Sequence, residues 1–186
     1  MVVGPHGAER INLFALVVYI PDPLGRFLDD LRKELVPACL PCAHVTMLPP
    51  RPISGNVSEA IEHARTLVTG FSPFDIVAGE VEIFPETDVI YIGIQQGEAE
   101  LREVYRALNR GPLSFREPFP YHPHITLAQE VPQDRVKPLY ELARKRWAAF
   151  SHSRRIRAER ACFVQSTIAC TWVDLAEFKL TGVPVG

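Results

Sequence analysis

The chain lacks an apolar run long enough to cross a bilayer. Its longest largely apolar run, residues 11–20, stops at Pro21, whereas a membrane-spanning helix needs about 20 such residues. No small-residue cleavage site follows it, so it does not match a secretory signal. We interpret this run as a buried central strand. We therefore expect a cytoplasmic protein that does not bind membranes.

A strong net charge is also missing. The 20 Lys and Arg residues nearly balance 22 Asp and Glu residues, which leaves a formal charge of −2. Such a balance gives no global attraction to nucleic acid. One local basic segment remains, between Arg135 and Arg160, where Glu141 and Glu159 are the acidic residues. It is typical of a solvated helix face, although a nucleic-acid contact is the alternative.

Cysteine is scarce, with four residues in the chain. Cys39 and Cys42 form a C-x-x-C pair that could be a redox pair, or half of a zinc site completed by Cys162 and Cys170 or by His44. Redox pairs usually lie at a helix N-terminus, whereas this pair leads into a predicted strand. We therefore expect thiols, and neither a metal nor another cofactor.

Low-complexity segments and clear linkers are absent, and 47% of the residues are hydrophobic. At 186 residues the chain can build one sizeable core, so we predict one domain over residues 1–186. Its halves follow one order of predicted elements. A strand and a helix (11–19 and 24–35; 89–94 and 99–108) precede a histidine-containing strand, and a proline-rich loop, a second helix and two further strands follow it.

This repetition indicates an internal duplication. It predicts an α+β fold of two pseudo-symmetric lobes with mainly antiparallel sheets, helices outside and a central cleft. Tyr91 and Trp172 fall at nearly equal distances after the first and second histidine. They are therefore expected at matching positions of the two lobes.

The histidine-containing strands carry the pattern His-apolar-Thr-apolar twice, as HVTM at 44–47 and HITL at 124–127. Residues i and i+2 of a strand point to one face. His44 and Thr46 should therefore share a face, and so should His124 and Thr126. Two such pairs across a cleft would bring four polar groups together.

This set of groups suits phosphodiester chemistry without a metal. A neutral imidazole can accept a proton from an attacking hydroxyl while an imidazolium protonates the leaving oxygen. Threonine hydroxyls can donate hydrogen bonds to the non-bridging phosphate oxygens. The residues leave open which histidine is the acid.

The two motifs, preceded by NLFALVVYIP and followed by LPPRP and AQEVP, resemble those of the two-histidine (2H) phosphoesterase superfamily, in particular its 2′-5′ RNA ligase-like branch. The likeness extends from about residue 11 to residue 180. It implies a bilobal fold and metal-independent work on 2′,3′-cyclic phosphates or 2′-5′ phosphodiesters of RNA ends or nucleotides, with possible reversal to ligation. It further implies that His44 and His124 are acid and base, and that Thr46 and Thr126 hold the phosphate.

Other residues near the motifs are weaker candidates for substrate binding. Arg51 could reach a phosphate, and His122 could lie at the rim of the cleft. Tyr121 could stack on a base, as could Phe119, Tyr91 and Trp172. Each also has a structural interpretation, as a surface or core residue.

Two other functions remain open at this point. One is a non-catalytic module that binds RNA ends or nucleotides through the same cleft and the basic segment. The other is a zinc-stabilised protein. For the leading interpretation we expect a monomer whose substrates are RNA ends or cyclic nucleotides.

Overall fold

A computed structural model describes residues 9–38 and 42–183. They form four helices, one short 3-10 helix and eight strands. In chain order the elements are β1 (Arg10–Tyr19), α1 (Leu24–Leu35), β2 (His44–Arg51), α2 (Val57–Thr69), β3 (Phe74–Ile83), β4 (Ile90–Gln96), α3 (Glu98–Leu108), the 3-10 helix (Gly111–Leu113), β5 (His124–Ala128), α4 (Gln133–Ala148), β6 (Arg155–Ala158), β7 (Arg160–Thr167) and β8 (Trp172–Lys179).

The strands form two four-stranded sheets, with the orders β2-β1-β7-β8 and β5-β4-β3-β6. Every pairing between neighbours is antiparallel. The motif strands β2 and β5 are edge strands of their own sheets, and they contact each other. The predicted α+β fold with two lobes around a central cleft is confirmed.

The two lobes are not made from consecutive halves of the chain. The first half contributes β3 to the second sheet, while the second half contributes β7 and β8 to the first sheet. Where two strands were expected after the second helix of this half, the structure has three, β6, β7 and β8. β6 pairs with β3, and after Glu159 the chain crosses over so that β7 pairs with β1.

This exchange corrects the predicted equivalence of Tyr91 and Trp172. Tyr91 lies on β4, an interior strand, whereas Trp172 begins the edge strand β8. In the order of the sheets, β4 corresponds to β1. The residue aligned with Thr46 on β1 is Val17, and the residue aligned with Thr126 on β4 is Tyr91. Tyr91 and Trp172 lie at nearly equal distances after their histidines in the sequence, but they occupy different positions in the two sheets.

The main core lies between the sheets and the helices. Strand alternation places Val45, Met47, Ile125 and Leu127 in it, which leaves the histidines and threonines on the opposite faces. The first sheet buries residues on its second face too, where Ala15, Val17, Cys162 and Val164 form a small cluster against Trp172.

The helices α1 and α3 each pack against a strand of the sheet that holds the other motif. The apolar stripe of α1 is Leu24, Leu28, Leu31 and Leu35, the i, i+4, i+7 spacing of an amphipathic helix. α1 contacts β5 of the second sheet, while α3 contacts β2 of the first sheet. Each motif strand is thus supported from behind by a helix from the opposite half of the chain.

Candidate active site

His44 and His124 occupy equivalent places, each at the first residue of an edge strand. In both strands the burial pattern alternates, so that the histidine and the threonine are half-buried while their neighbours are buried. The prediction that each histidine shares a face with its threonine is confirmed. Because β2 and β5 contact each other, the two pairs lie on neighbouring strands.

Both imidazoles are anchored in the same way. His44 Nδ1 lies 2.7 Å from the carbonyl oxygen of Cys42, and His124 Nδ1 lies 2.7 Å from the carbonyl oxygen of His122. A carbonyl oxygen only accepts hydrogen bonds, so Nδ1 must carry the proton in each ring. Nε2 is therefore the nitrogen that remains to exchange a proton with a substrate.

Burial keeps both imidazoles neutral at pH 7. It lowers the pKa of His44 to about 4, against the opposing effect of the hydrogen bond to Cys42. The positive charge of Arg32 lowers that pKa further, as does His124 whenever it is protonated. Burial also lowers the pKa of His124, helped by the charge of His122. A bound anion would raise both pKa values.

Aromatic rings pack against each histidine. The Trp172 ring centroid lies 5.4 Å from that of His44. Phe84 and Tyr91, stacked at 3.9 Å, lie 5.0 and 5.4 Å from His124. These rings displace water, which is the physical cause of the lowered pKa values. No local sequence pattern indicates Phe84 as a site residue, because its contact with His124 depends on long-range strand pairing.

Two tyrosine–carboxylate pairs flank the motifs and were also missed. Tyr19, aligned with His44 across β1 and β2, donates a 2.7 Å hydrogen bond to Asp174. Tyr91, aligned with Thr126, donates a 3.1 Å hydrogen bond to Glu82. Burial raises the pKa of both hydroxyls, that of Tyr91 to about 12. Only the strand register reveals these pairs.

The prediction that Arg51 binds a substrate phosphate is wrong. Its side chain is fully buried, and its Nη2 forms an ion pair with Glu117. Nη1 donates to Asn109 at 2.7 Å and to the carbonyl of Leu113 at 2.8 Å. With its donors satisfied inside the protein, Arg51 fastens residues 109–117 to the end of β2.

The predicted stacking role of Tyr121 is also wrong. Tyr121 is 9% exposed, and its ring already stacks on Tyr105 at 4.3 Å. Its hydroxyl donates a 2.6 Å hydrogen bond to the backbone carbonyl of Thr46. Tyr121 therefore connects the segment before the second motif with the first motif.

The other residues predicted to bind substrate differ in how exposed they are. His122 is exposed, with its ring 6.5 Å from that of His124 and 5.2 Å from Phe84. Its place at the rim is consistent with a substrate contact, which stays a prediction. Tyr91, 4% exposed and stacked on Phe84, has little free surface for a base, whereas Phe119 is 55% exposed.

The three cysteines in the described part of the chain do not form a disulfide with one another. Cys39 lies outside the described residues. Cys42, Cys162 and Cys170 are free, and burial raises the pKa of Cys162 to about 12. Across residues 9–38 and 42–183, no three His, Cys, Asp or Glu side chains come close enough together to hold a metal ion. None of the described helices has the length and apolar character needed to span a membrane.

Comparisons with known proteins identify the family. The model of the 2′-5′ RNA ligase superfamily matches residues 20–166. Among curated relatives, "Putative phosphoesterase OB1230" of Oceanobacillus iheyensis is 30% identical over 80 residues, which are 42% of this chain and 46% of that protein. "Putative phosphoesterase BH1439" of Halalkalibacterium halodurans is 23% identical over 132 residues, which are 66% of this chain and 73% of that protein. The match thus spans less than half of the first relative.

Solved structures show the same fold at low sequence identity. E. coli LigT complexed with 3′-AMP has a TM-score of 0.63 and 16% identity, and the match covers 94% of this chain and 99% of LigT. TT0787 of Thermus thermophilus has a TM-score of 0.57 and 16% identity, with 90% and 97% covered. Since the family model also spans both His-x-Thr-x motifs, this chain belongs to the 2′-5′ RNA ligase superfamily of two-histidine phosphoesterases.

Proposed function

We propose that this protein is a metal-independent phosphoesterase that opens 2′,3′-cyclic phosphates, or cleaves 2′-5′ phosphodiesters, of RNA ends or nucleotides. The observation that carries the proposal is the matched anchoring of His44 and His124. Each ring is fixed through Nδ1 to the carbonyl two residues earlier, and Nε2 has no hydrogen bond to another residue in the described part of the chain. Two imidazoles on adjoining edge strands are suited to act as base and acid on one phosphate.

The proposed reaction begins when the neutral imidazole accepts a proton from water at Nε2. The water oxygen forms a new bond to phosphorus, and the bond from phosphorus to one ribose oxygen breaks. The second imidazole, protonated once the anionic substrate is bound, gives its proton to that leaving oxygen. One proton is accepted and one is donated, so the pair returns to its starting state after a proton exchange between the rings or with water.

Thr46 and Thr126 are proposed to hold the phosphate. Each hydroxyl lies two residues after a histidine on the same face of a rigid strand. Hydrogen bonds to the non-bridging oxygens strengthen as negative charge grows in the transition state. If a 5′-hydroxyl replaces water, the reversed chemistry would form a 2′-5′ bond, in keeping with the name of the superfamily.

The test is incubation of the protein with nucleoside 2′,3′-cyclic phosphates, with and without a chelator, and identification of the product isomer. We expect one isomer to form at equal rates in both samples. Loss of activity with chelator would contradict metal independence. Binding without turnover would instead support the non-catalytic module. His152→Ala, which removes an exposed imidazole beside Phe150, is the matched control for variants of the two histidines.

A further inference from the structure

The distribution of charge around the motifs bears on the size of the substrate. All 20 Lys and Arg residues lie within the described part of the chain, since residues 1–8, 39–41 and 184–186 contain none. A protein that follows a nucleic-acid strand needs a groove of cations along the phosphates. The positions of the cations nearest the motif-bearing faces therefore bear on whether the cleft can be such a groove.

The α4 part of the basic segment does not form this groove. Its α4 residues belong to a helix whose buried side packs against β3 behind the second sheet. Arg146 on α4 pairs with Glu34 at 2.6 Å. Arg154 lies 4.2 Å from the Trp147 ring centroid and pairs with Glu80 at 3.7 Å. These cations are used in holding the helix and its neighbours together.

On the first sheet, the face that carries the first motif is balanced in charge. Aligned residues of neighbouring strands share a face, so the row from Thr46 crosses Val17 and Cys162 to Glu177. Asp174 and the aligned pair Arg160 and Lys179 lie on the same face. Arg160 is already paired with Glu177 at 2.5 Å. Two cations thus meet two carboxylates.

The second sheet repeats this balance. The row from Thr126 crosses Tyr91 to Glu82. Farther out on that face, Arg155 and Arg157 both pair with Asp75, at 2.5 and 3.1 Å. Again two cations face two carboxylates, and both arginines lie on the distal edge strand β6.

One further cation, Arg32, lies on α1, which contacts the motif strand β5. Arg32 is 6% exposed, and its positive charge lowers the pKa of His44. A single buried charge can complement a single phosphate anion. The further phosphates of a strand would instead meet faces on which the named cations are matched in number by carboxylates.

We propose that the substrate is a small molecule with one phosphodiester, of the size of a cyclic mononucleotide, and not the end of a long RNA strand. This rests on the proposed function and narrows its substrate class. The central phosphate would lie between His44 and His124. The rest of the ligand would be neutral, flanked by the aromatic rings of Trp172 and Phe84 that adjoin the two histidines.

The experiment compares kcat/KM for a cyclic mononucleotide and for a decanucleotide that ends in the same 2′,3′-cyclic phosphate. We expect the decanucleotide to be no better a substrate, and log(kcat/KM) to fall against log[salt] with a slope no steeper than about −1 between about 50 and 200 mM. A preference of about tenfold or more for the decanucleotide, with a slope steeper than about −3, would overturn the proposal.

A charge variant tests the cause. Glu177→Gln releases Arg160 from its ion pair, so we expect kcat/KM for the decanucleotide to rise about two- to fivefold and that for the mononucleotide to stay constant. Glu141→Gln, on the exposed side of α4, is the matched control and should change neither. An equal response of both variants would contradict the role assigned to the faces of the sheets.

Failure of the proposed function gives a different result. If neither substrate is turned over, the acid–base assignment fails, but binding of a fluorescent decanucleotide still tests the size of the ligand. In about 150 mM salt we expect no saturation below about 100 µM, the weak end of nonspecific binding. Saturation at low micromolar protein would overturn the inference by itself.

Discussion

The two motif strands have the same chemistry but different support. His44 and His124 are anchored by equal 2.7 Å contacts to carbonyls two residues earlier. Beyond the motifs the strands differ: seven residues after His44 lies the buried Arg51, whereas seven after His124 lies the half-buried Val131. The duplicated feature is thus the arrangement of reactive groups, while each strand is fixed to the rest of the protein in its own way.

The largest expected effect tests whether the two motifs are equally necessary. His44→Ala and His124→Ala should each lower kcat for cyclic phosphate hydrolysis by about 10²–10⁴-fold, because each removes one proton-transfer group. The double variant should lose little more than the worse single variant, since the groups act as a unit. Initial rates are the measurement. If either single variant keeps the activity of His152→Ala, the two-histidine mechanism is refuted.

The next effect concerns the support of β2 alone. Arg51→Met should destabilise the protein by about 3–5 kcal/mol, because Glu117 would lose its buried partner. Val131→Ala should cost about 1 kcal/mol, as for the loss of two methyl groups at a half-buried site. Urea unfolding measures both. The activity per folded molecule should stay unchanged in Arg51→Met. If this activity falls although the variant is folded, Arg51 would again be a candidate for substrate binding.

These supports show what the sequence could and could not reveal. The helix over 24–35 was predicted at its observed bounds, because leucine spacing and flanking prolines are local signals. The His-x-Thr-x pairs were found because the alternation of strands is local too. The partner of Arg51 lies 66 residues away, and the exchange of β3 and β7 between sheets depends on long-range pairing. Local patterns contain no information on either, so the roles predicted for Arg51 and Tyr121 failed.

The next prediction tests the proposed phosphate contacts of the two threonines. Thr46→Val and Thr126→Val keep the side-chain shape and remove the hydroxyl, so each should lower kcat by about 10–10²-fold with a smaller change in KM. Thr66→Val on α2, where the hydroxyl donates to Glu62 of its own helix, is the control. Unchanged kcat in both motif variants would show that the phosphate is held by other groups.

Acid should destabilise the protein through its histidines. The pKa of folded His44, about 4, lies below its ordinary 6.5, so between these values the unfolded state binds more protons. The contribution of His44 is therefore complete above about pH 6.5 and is lost as the pH falls towards about 4; we expect at most about 3 kcal/mol. His44→Gln should flatten the pH dependence of urea unfolding in this window. A curve parallel to that of the wild type would contradict the lowered pKa.

The smallest effect concerns the hydrogen bond between the first motif and the segment that leads into the second motif. Tyr121 donates a hydrogen bond to the carbonyl of Thr46, so it holds the backbone of the first motif against the segment that leads into the second. Tyr121→Phe keeps the stacking on Tyr105 and removes this bond, which should cost about 1 kcal/mol of stability. It should also lower kcat about threefold, because a small misplacement of one motif against the other weakens the transition state.

Tyr105→Phe is the matched control for this variant. Its hydroxyl accepts a hydrogen bond from Asn109, so the loss of this hydroxyl should reduce stability to a similar extent and leave kcat unchanged. If Tyr121→Phe and Tyr105→Phe change kcat equally, Tyr121 acts only on stability. A kcat effect confined to Tyr121→Phe would instead show that the distance between the motifs, and not only their chemistry, sets the rate.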